Sequence, residues 1–187
     1  MIPLPILLLS LILSSASFLA FAYENNELSQ PIDQLEQLAQ NPNLLALARQ
    51  HDGQLDLDQI RENHQVWLKH PHKRNAQLDG KMQSYFKQLL KTPDSPFTEL
   101  VLMGTQGETL AAYPINHNYW QGNEDMFINV MASENLYIDT LNWDEHTQTI
   151  SAQISVPVMG KDGELFGVLT GGVKASLEAL GNLNIGP

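Results

Sequence analysis

Thr149–Met159 reads TISAQISVPVM and alternates without a break. Ile150, Ala152, Ile154, Val156 and Val158 fall on one side, and Thr149, Ser151, Gln153, Ser155 and Pro157 on the other. A period of two is the mark of a β-strand with one buried face. Gly160-Lys161-Asp162-Gly163 comes next. Its Asp-Gly pair predicts a tight type I′ hairpin, in which both central residues need φ > 0. The following run, Glu164–Val173 (ELFGVLTGGV), is apolar nearly throughout, which predicts a central strand covered on both faces. Upstream, Glu99–Met103 and Thr109–Tyr113 flank Gly104-Thr105-Gln106-Gly107, a second hairpin. Leu136–Asp144 supplies a fifth strand. The chain is therefore expected to build an antiparallel sheet with one long excursion between its second and third strands.

This strand order carries YWQGNED (Tyr119–Asp125) in the excursion and SVPVMGKDGELFGVLTGGV (Ser155–Val173) at the end. It resembles the PDC/Cache family, the PAS-like extracytoplasmic sensor domains of bacteria. The resemblance runs from Pro42 to Val173 and concerns fold and ligand sensing, not catalysis. It implies an α+β domain with N-terminal helices packed on a five-stranded antiparallel PAS/Cache-like sheet. In that fold the loop between the second and third strands folds over the outer face of the sheet, and the ligand lies between them. Tyr119–Asp125 would belong to this loop.

Ahead of the sheet the spacing predicts helices. Ile32, Leu35, Leu38 and Ala39 mark one within Pro31–Gln50, which restarts at Asn41-Pro42, a cap followed by Pro at the first helical position. Asp56–Lys69 forms a second, stopped by His70-Pro71. Arg74–Lys91 forms a third, burying Leu78, Met82, Phe86, Leu89 and Leu90. Thr92–Pro96 is a stiff linker into the first strand. Residues 23–96 and 97–187 are thus read as the helical and sheet parts of one domain.

Residues 1–22 stand apart. Ile2–Ala22 is uncharged and mostly apolar and ends in Ala20-Phe21-Ala22, an A-x-A pattern. This predicts a secretory signal peptide; its length also suits an uncleaved N-terminal anchor in the inner membrane. Either way the remainder is exported, to the periplasm or beyond. A net charge of −11 argues against nucleic acid, whose binding needs clustered Lys and Arg. No Lys or Arg occurs between Lys91 and Lys161, whereas Leu55–Lys91 holds seven basic residues against four acidic ones. There is no cysteine.

The sequence offers little for catalysis. It contains no G-x-S-x-G, no Cys nucleophile and no phosphate-binding Gly-rich loop. His64, His70 and His72 lie close together in sequence, but His70-Pro71-His72 is expected to point its imidazoles apart, so no metal and no cofactor are expected. Glu124-Asp125 and Asp144-Glu145-His146 read as surface turns, because adjacent residues face different ways. An enzyme is not expected.

The aromatic set suggests a binding site: Tyr113, Tyr119, Trp120, Tyr137 and Trp143, with Asp125 and Asp139 as carboxylates. Tyr137, Asp139, Leu141 and Trp143 would alternate onto one face of the third strand. Aromatic faces with carboxylates suit a neutral or cationic small molecule, since a buried anion would have to be paired. Two readings stay open. One is a stand-alone exported sensor or binding protein that passes a signal to a membrane receptor partner. The other is a structural or protein-interaction module with the same fold, in which the aromatics fill the core.

Overall fold

A computed structural model describes residues 28–139, 142–144 and 149–174, with 142–144, 149 and 150 described by backbone alone. Residues 1–22, and with them the expected signal peptide or anchor, lie outside this set. Among the described residues no helix is long and apolar enough to cross a membrane.

Among the described residues four α-helices precede the sheet: α1 Ser29–Ala39, α2 Pro42–His51, α3 Leu57–Lys69 and α4 Gly80–Leu90. The starts of α2, α3 and α4 follow from local hydrogen bonding. Asn41 accepts from the Asn43 amide ahead of Pro42, and Asp56 and Gln59 form a reciprocal capping box. The third helix is shorter than its spacing suggests. Pro71–Gln77 is a 3-10 turn, and α4 begins only at Gly80, where the Asp79 side chain accepts from the Met82 amide. A good cap overrides apolar periodicity in deciding where a helix starts.

The strands are β1 Phe97–Met103, β2 Thr109–Tyr113, β3 Tyr137–Ile138, β4 Asn142–Asp144, β5 Thr149–Met159 and β6 Leu165–Lys174. The sheet order is β2-β1-β6-β5-β3, and β4 continues along the same side of β5. All pairs are antiparallel. The expected fifth strand, Leu136–Asp144, is thus present in two pieces. Tyr137 pairs with Ser155, but Trp143 pairs with Ile150. The register slips by one residue between them, so the expected alternation from Tyr137 to Trp143 does not run through. The excursion also carries a helix that its sequence was not read to contain, α5 Asp125–Ser133.

The Gly160–Gly163 hairpin uses a different turn from the expected type I′, and the Gly104–Gly107 hairpin shares it. At Gly104–Gly107 and Gly160–Gly163 the second Gly donates back to the first, and only that second Gly has positive φ, 83° and 82°. Asp162 keeps an ordinary negative φ. A bulge beside each turn takes up the extra residue. Gly163 has open space around its missing Cβ, so only its backbone angle demands glycine. Gly163→Val should therefore lower stability by about 1 kcal/mol or more, read from urea melts, and leave ligand affinity unchanged.

The sheet separates two cores. On the inner face Leu100, Leu102, Ile154, Val156 and Leu169 meet Ile32 and Leu35 of α1, Leu44 of α2 and Phe86 of α4. On the outer face Val101, Met103 and Val168 meet Ile60 and Trp67 of α3, Tyr119 of the loop, and Met126, Phe127 and Val130 of α5. Of the N-terminal helices, α3 therefore covers the face opposite to the other three. β6 is buried along nearly its whole length, as its apolar run implies.

Both edges of the sheet are blunted. The Leu110 carbonyl on β2 accepts from the Asp79 amide, and the Ala112 carbonyl from the Gln83 side chain. On the opposite side the Asp139 amide donates to the Gln153 carbonyl, so odd residues of β5 turn their backbone groups outward. Pro157 stands in that series beyond the reach of β3, where it offers no N–H.

Candidate functional site

Register brings outer-face side chains into rows across the sheet. One row runs Ala112, Val101, Thr170, Ser155, Tyr137. It is filled: Ser155 and Thr170 are fully buried and share a hydrogen bond of 2.8 Å, and Met126 of α5 lies on Thr170. The next row is different in kind. Glu99 pairs with Gly172, and Gly172 with Gln153; Asp139, two residues beyond Tyr137, bonds to the Gln153 carbonyl through its amide. Gly172 makes room in this row for the Glu99 side chain, which lies across it and accepts from the Gln153 amide at 2.9 Å. A Cβ at Gly172 would sit 2.6 Å from Glu99 Cγ. Glu99, Gln153 and Asp139 are all half-buried. The following rung pairs Ser151 with Lys174, whose side chain is exposed.

Tyr137 ends the filled row, one rung from Asp139. Burial, then the carboxylates of Asp139 and Asp125, push its phenol above the ordinary value near 10. Asp125 itself is exposed in the first turn of α5, where a carboxylate suits the helix dipole.

The other expected residues are placed elsewhere. Tyr113, at the end of β2, packs against the inner core, with the Lys87 ammonium 5.7 Å from its ring centre. Tyr119 is buried on the outer face, tilted against Trp67 with ring centres 5.6 Å apart. Burial raises its hydroxyl pKa, although a hydrogen bond with the Asn63 side chain opposes the shift. Trp120 is a clasp. Its indole donates to the Gln106 carbonyl at 2.9 Å, and its amide donates to His64 Nδ1 at 3.3 Å. Gly122 passes beneath this indole, where a Cβ would lie 2.6 Å from the ring nitrogen. The side chain of Trp143 lies outside the described residues.

Backbone pairing seals the clasp: the Thr109 amide donates to the Tyr119 carbonyl and the Gln121 amide to that of Gly107, both at 2.8 Å. The Tyr119 half of the outer face is thus solid, and the Glu99–Asp139 half is polar and half-open. Glu99 and Gln153 were not singled out from sequence, since they lie 54 residues apart and no local pattern joins them.

No group of three or more metal-ligating side chains occurs among the described residues. His70 and His72 do not point apart as expected; their rings meet edge-on, with centres 5.8 Å apart. Glu124 and Asp125 open a helix rather than forming a turn, and Glu145-His146 lie outside the described residues.

Among the described residues the most buried carboxylate is Glu108, 4% exposed, in the β1–β2 hairpin. The Gln106 amide donates to it, and Gly104 makes room for it, since a Cβ there would lie 2.2 Å from Glu108 Oε1. Burial raises its pKa above the ordinary 4.5; the amides of Glu108 and Gln106 oppose this, and Asp52 adds to it. The folded chain therefore holds this proton more tightly than the unfolded chain. Its contribution to stability is lost as pH rises from the unfolded value through the folded one, and regained on acidification. Glu108→Gln should remove that part of the pH dependence. Urea melts of both proteins from pH 4 upward check this; parallel curves would refute it.

The fold and its polar row define an α+β domain with PAS-like strand order: counting β3 and β4 as one strand, the sequence is 2-1-5-4-3. No protein-family model and no curated protein matches the chain. Solved structures similar to it are mostly ligand-binding sensor domains of chemoreceptors and histidine kinases. The ligand-binding domain of the amino acid chemoreceptor PctB of Pseudomonas aeruginosa PAO1, in complex with L-Gln, is 18% identical with a TM-score of 0.48, over 84% of this chain and 52% of that one. The PctC domain of the same organism, in complex with GABA, is 21% identical with a TM-score of 0.42, over 67% and 57%. The sensor domain of the V. cholerae histidine kinase DctB is 12% identical with a TM-score of 0.42, over 90% and 62%. The chain thus spans between 52% and 62% of the length of these three.

Proposed function

We propose that the chain is an exported, non-catalytic sensor domain that binds a neutral or cationic small molecule over the Glu99–Gly172–Gln153–Asp139 row and passes the signal to a membrane partner. The observation that carries this reading is the row itself. Two carboxylates and an amide lie half-buried on one sheet face, with the Glu99 side chain laid over Gly172, beside Tyr137, whose hydroxyl is influenced by Asp139 and Asp125. An amine seated there gains a charge-assisted hydrogen bond, roughly 1.5–3 kcal/mol, and a ring contact of about 0.5–2 kcal/mol. Asp139→Asn and Tyr137→Ala should each weaken amine binding about tenfold or more, with the fold retained; Trp143→Ala reports whether the β4 segment also belongs to the wall. A thermal-shift screen against amines, amino acids and dicarboxylates, followed by calorimetric titration of the variants, tests this. Tight dicarboxylate binding without amine binding overturns the charge argument. The packed Tyr119–Trp120 half favours the interaction-module reading for that half alone, and a screen with no binder at all would extend it to the whole face. Export is tested by the intact mass of the protein from its host, expected to lack residues 1–22.

A further inference from the structure

The inner face holds a second recess, on the other side of the sheet from the polar row. Helix α1 lies over β5 and β6, and α4 over β1 and β2; between them opens a cleft of about 600 Å³. Its floor is apolar, made by Leu38, Leu89 and the buried Phe97. Its wall on the α1 side is a series of carboxamides, Gln34, Gln37, Gln40 and Asn41, and Tyr85 faces them from α4. The Asn41 amide donates to the Tyr85 hydroxyl at 3.2 Å and ties the two walls together at one end. Thr92, Asp94 and Ser95 close the other end, and among the described residues no Lys, Arg or His lines the cleft.

That lining selects its ligand by chemistry. Carboxamides both donate and accept, as hydroxyl groups do, whereas a charged ligand would find only the exposed Asp94 as an ionic partner. The volume lies within the range of small-molecule sites, about 300–1,000 Å³. An apolar floor beneath polar walls suits a molecule with C–H faces and a hydroxyl rim. We infer that this interhelical cleft binds an uncharged saccharide of one or two rings, separately from any ligand of the outer face.

The test is calorimetric titration of the protein with glucose and maltose, with glucuronate and glucosamine as charged counterparts. Saturable binding of a neutral sugar is expected at millimolar strength or better. Gln37→Ala should weaken it about fivefold, and Gln34→Ala with Gln37→Ala about twentyfold or more, while melting temperature holds because both side chains lie at the cleft rather than in the core. Asp94→Asn and Asp139→Asn should leave it unchanged. The inference is overturned if no neutral sugar binds up to about 10 mM, if a charged sugar binds better, if the glutamine variants bind normally, or if Asp139→Asn abolishes binding.

Discussion

Gly167→Ala is expected to reduce stability by about 3 kcal/mol or more, through backbone strain compounded by a clash. Gly167 lies on β6 with φ at 150°, and a Cβ there would stand 2.0 Å from the Met103 carbonyl oxygen. The obstruction is backbone, so no rotamer change relieves it. β1 must part from β6 beside the Met103–Val168 pair, or β6 must lift from the core. Small domains are stable by only about 5–15 kcal/mol, so a large share of the variant should be unfolded at modest denaturant. The urea midpoint decides the matter. A midpoint equal to the wild type would mean that β1 and β6 do not approach as described.

Trp67→Ala is expected to have a comparable effect by a different route, about 3–5 kcal/mol from a lost buried ring and the cavity it leaves. Trp67 is fully buried, leans on Tyr119, and donates from its indole to the His117 carbonyl at 3.0 Å. The Arg74 guanidinium lies 5.5 Å from its ring centre and donates to its carbonyl. The residue thus joins α3, the 3-10 turn and the loop. Trp67→Phe keeps most of the packing and loses the indole bond, about 1 kcal/mol. Because Trp67 supports Tyr119, the damage should concentrate in the clasp. Hydrogen exchange at the Thr109 and Gln121 amides, which bond into it, should quicken more than at β6. Equal protection at both places would show that the ring only fills space.

The parts of this molecule that sequence made legible are those where one residue's neighbours in the chain decide its environment. Thr149–Met159 has the bounds its alternation suggests, because every second side chain there faces a core. Asn41, Asp56 and the two Gly-x-x-Gly hairpins are local signals with local partners. Helix α5 was not read, although Met126, Phe127 and Val130 have helical spacing. It is short, and its leading Glu124 makes no side-chain cap, so the usual start signal is missing. The site was half legible. Tyr137 and Asp139 fall on one short strand as the alternation suggests, but Glu99 and Gln153 become neighbours only because Gly172 on a third strand leaves room for the Glu99 side chain between them. The slip between Ile138 and Asn142 is likewise fixed by pairing with β5 and leaves no trace in composition.

The two protected borders of the sheet constrain how this molecule can meet another copy of itself. At one border Asp79 and Gln83, at the start of helix α4, already use the outward carbonyls of β2; at the other, the edge strand is in two short pieces, β3 and β4, and beyond β3 Pro157 interrupts the donors of β5. Neither border presents the unbroken ladder on which strands stack into fibrils or fuse two sheets into one. Self-association therefore has to proceed through helix or loop surfaces, which leaves the strand network of each copy intact. Crowding many copies together should yield discrete particles or monomers, without the thioflavin-positive aggregates that an open sheet border nucleates.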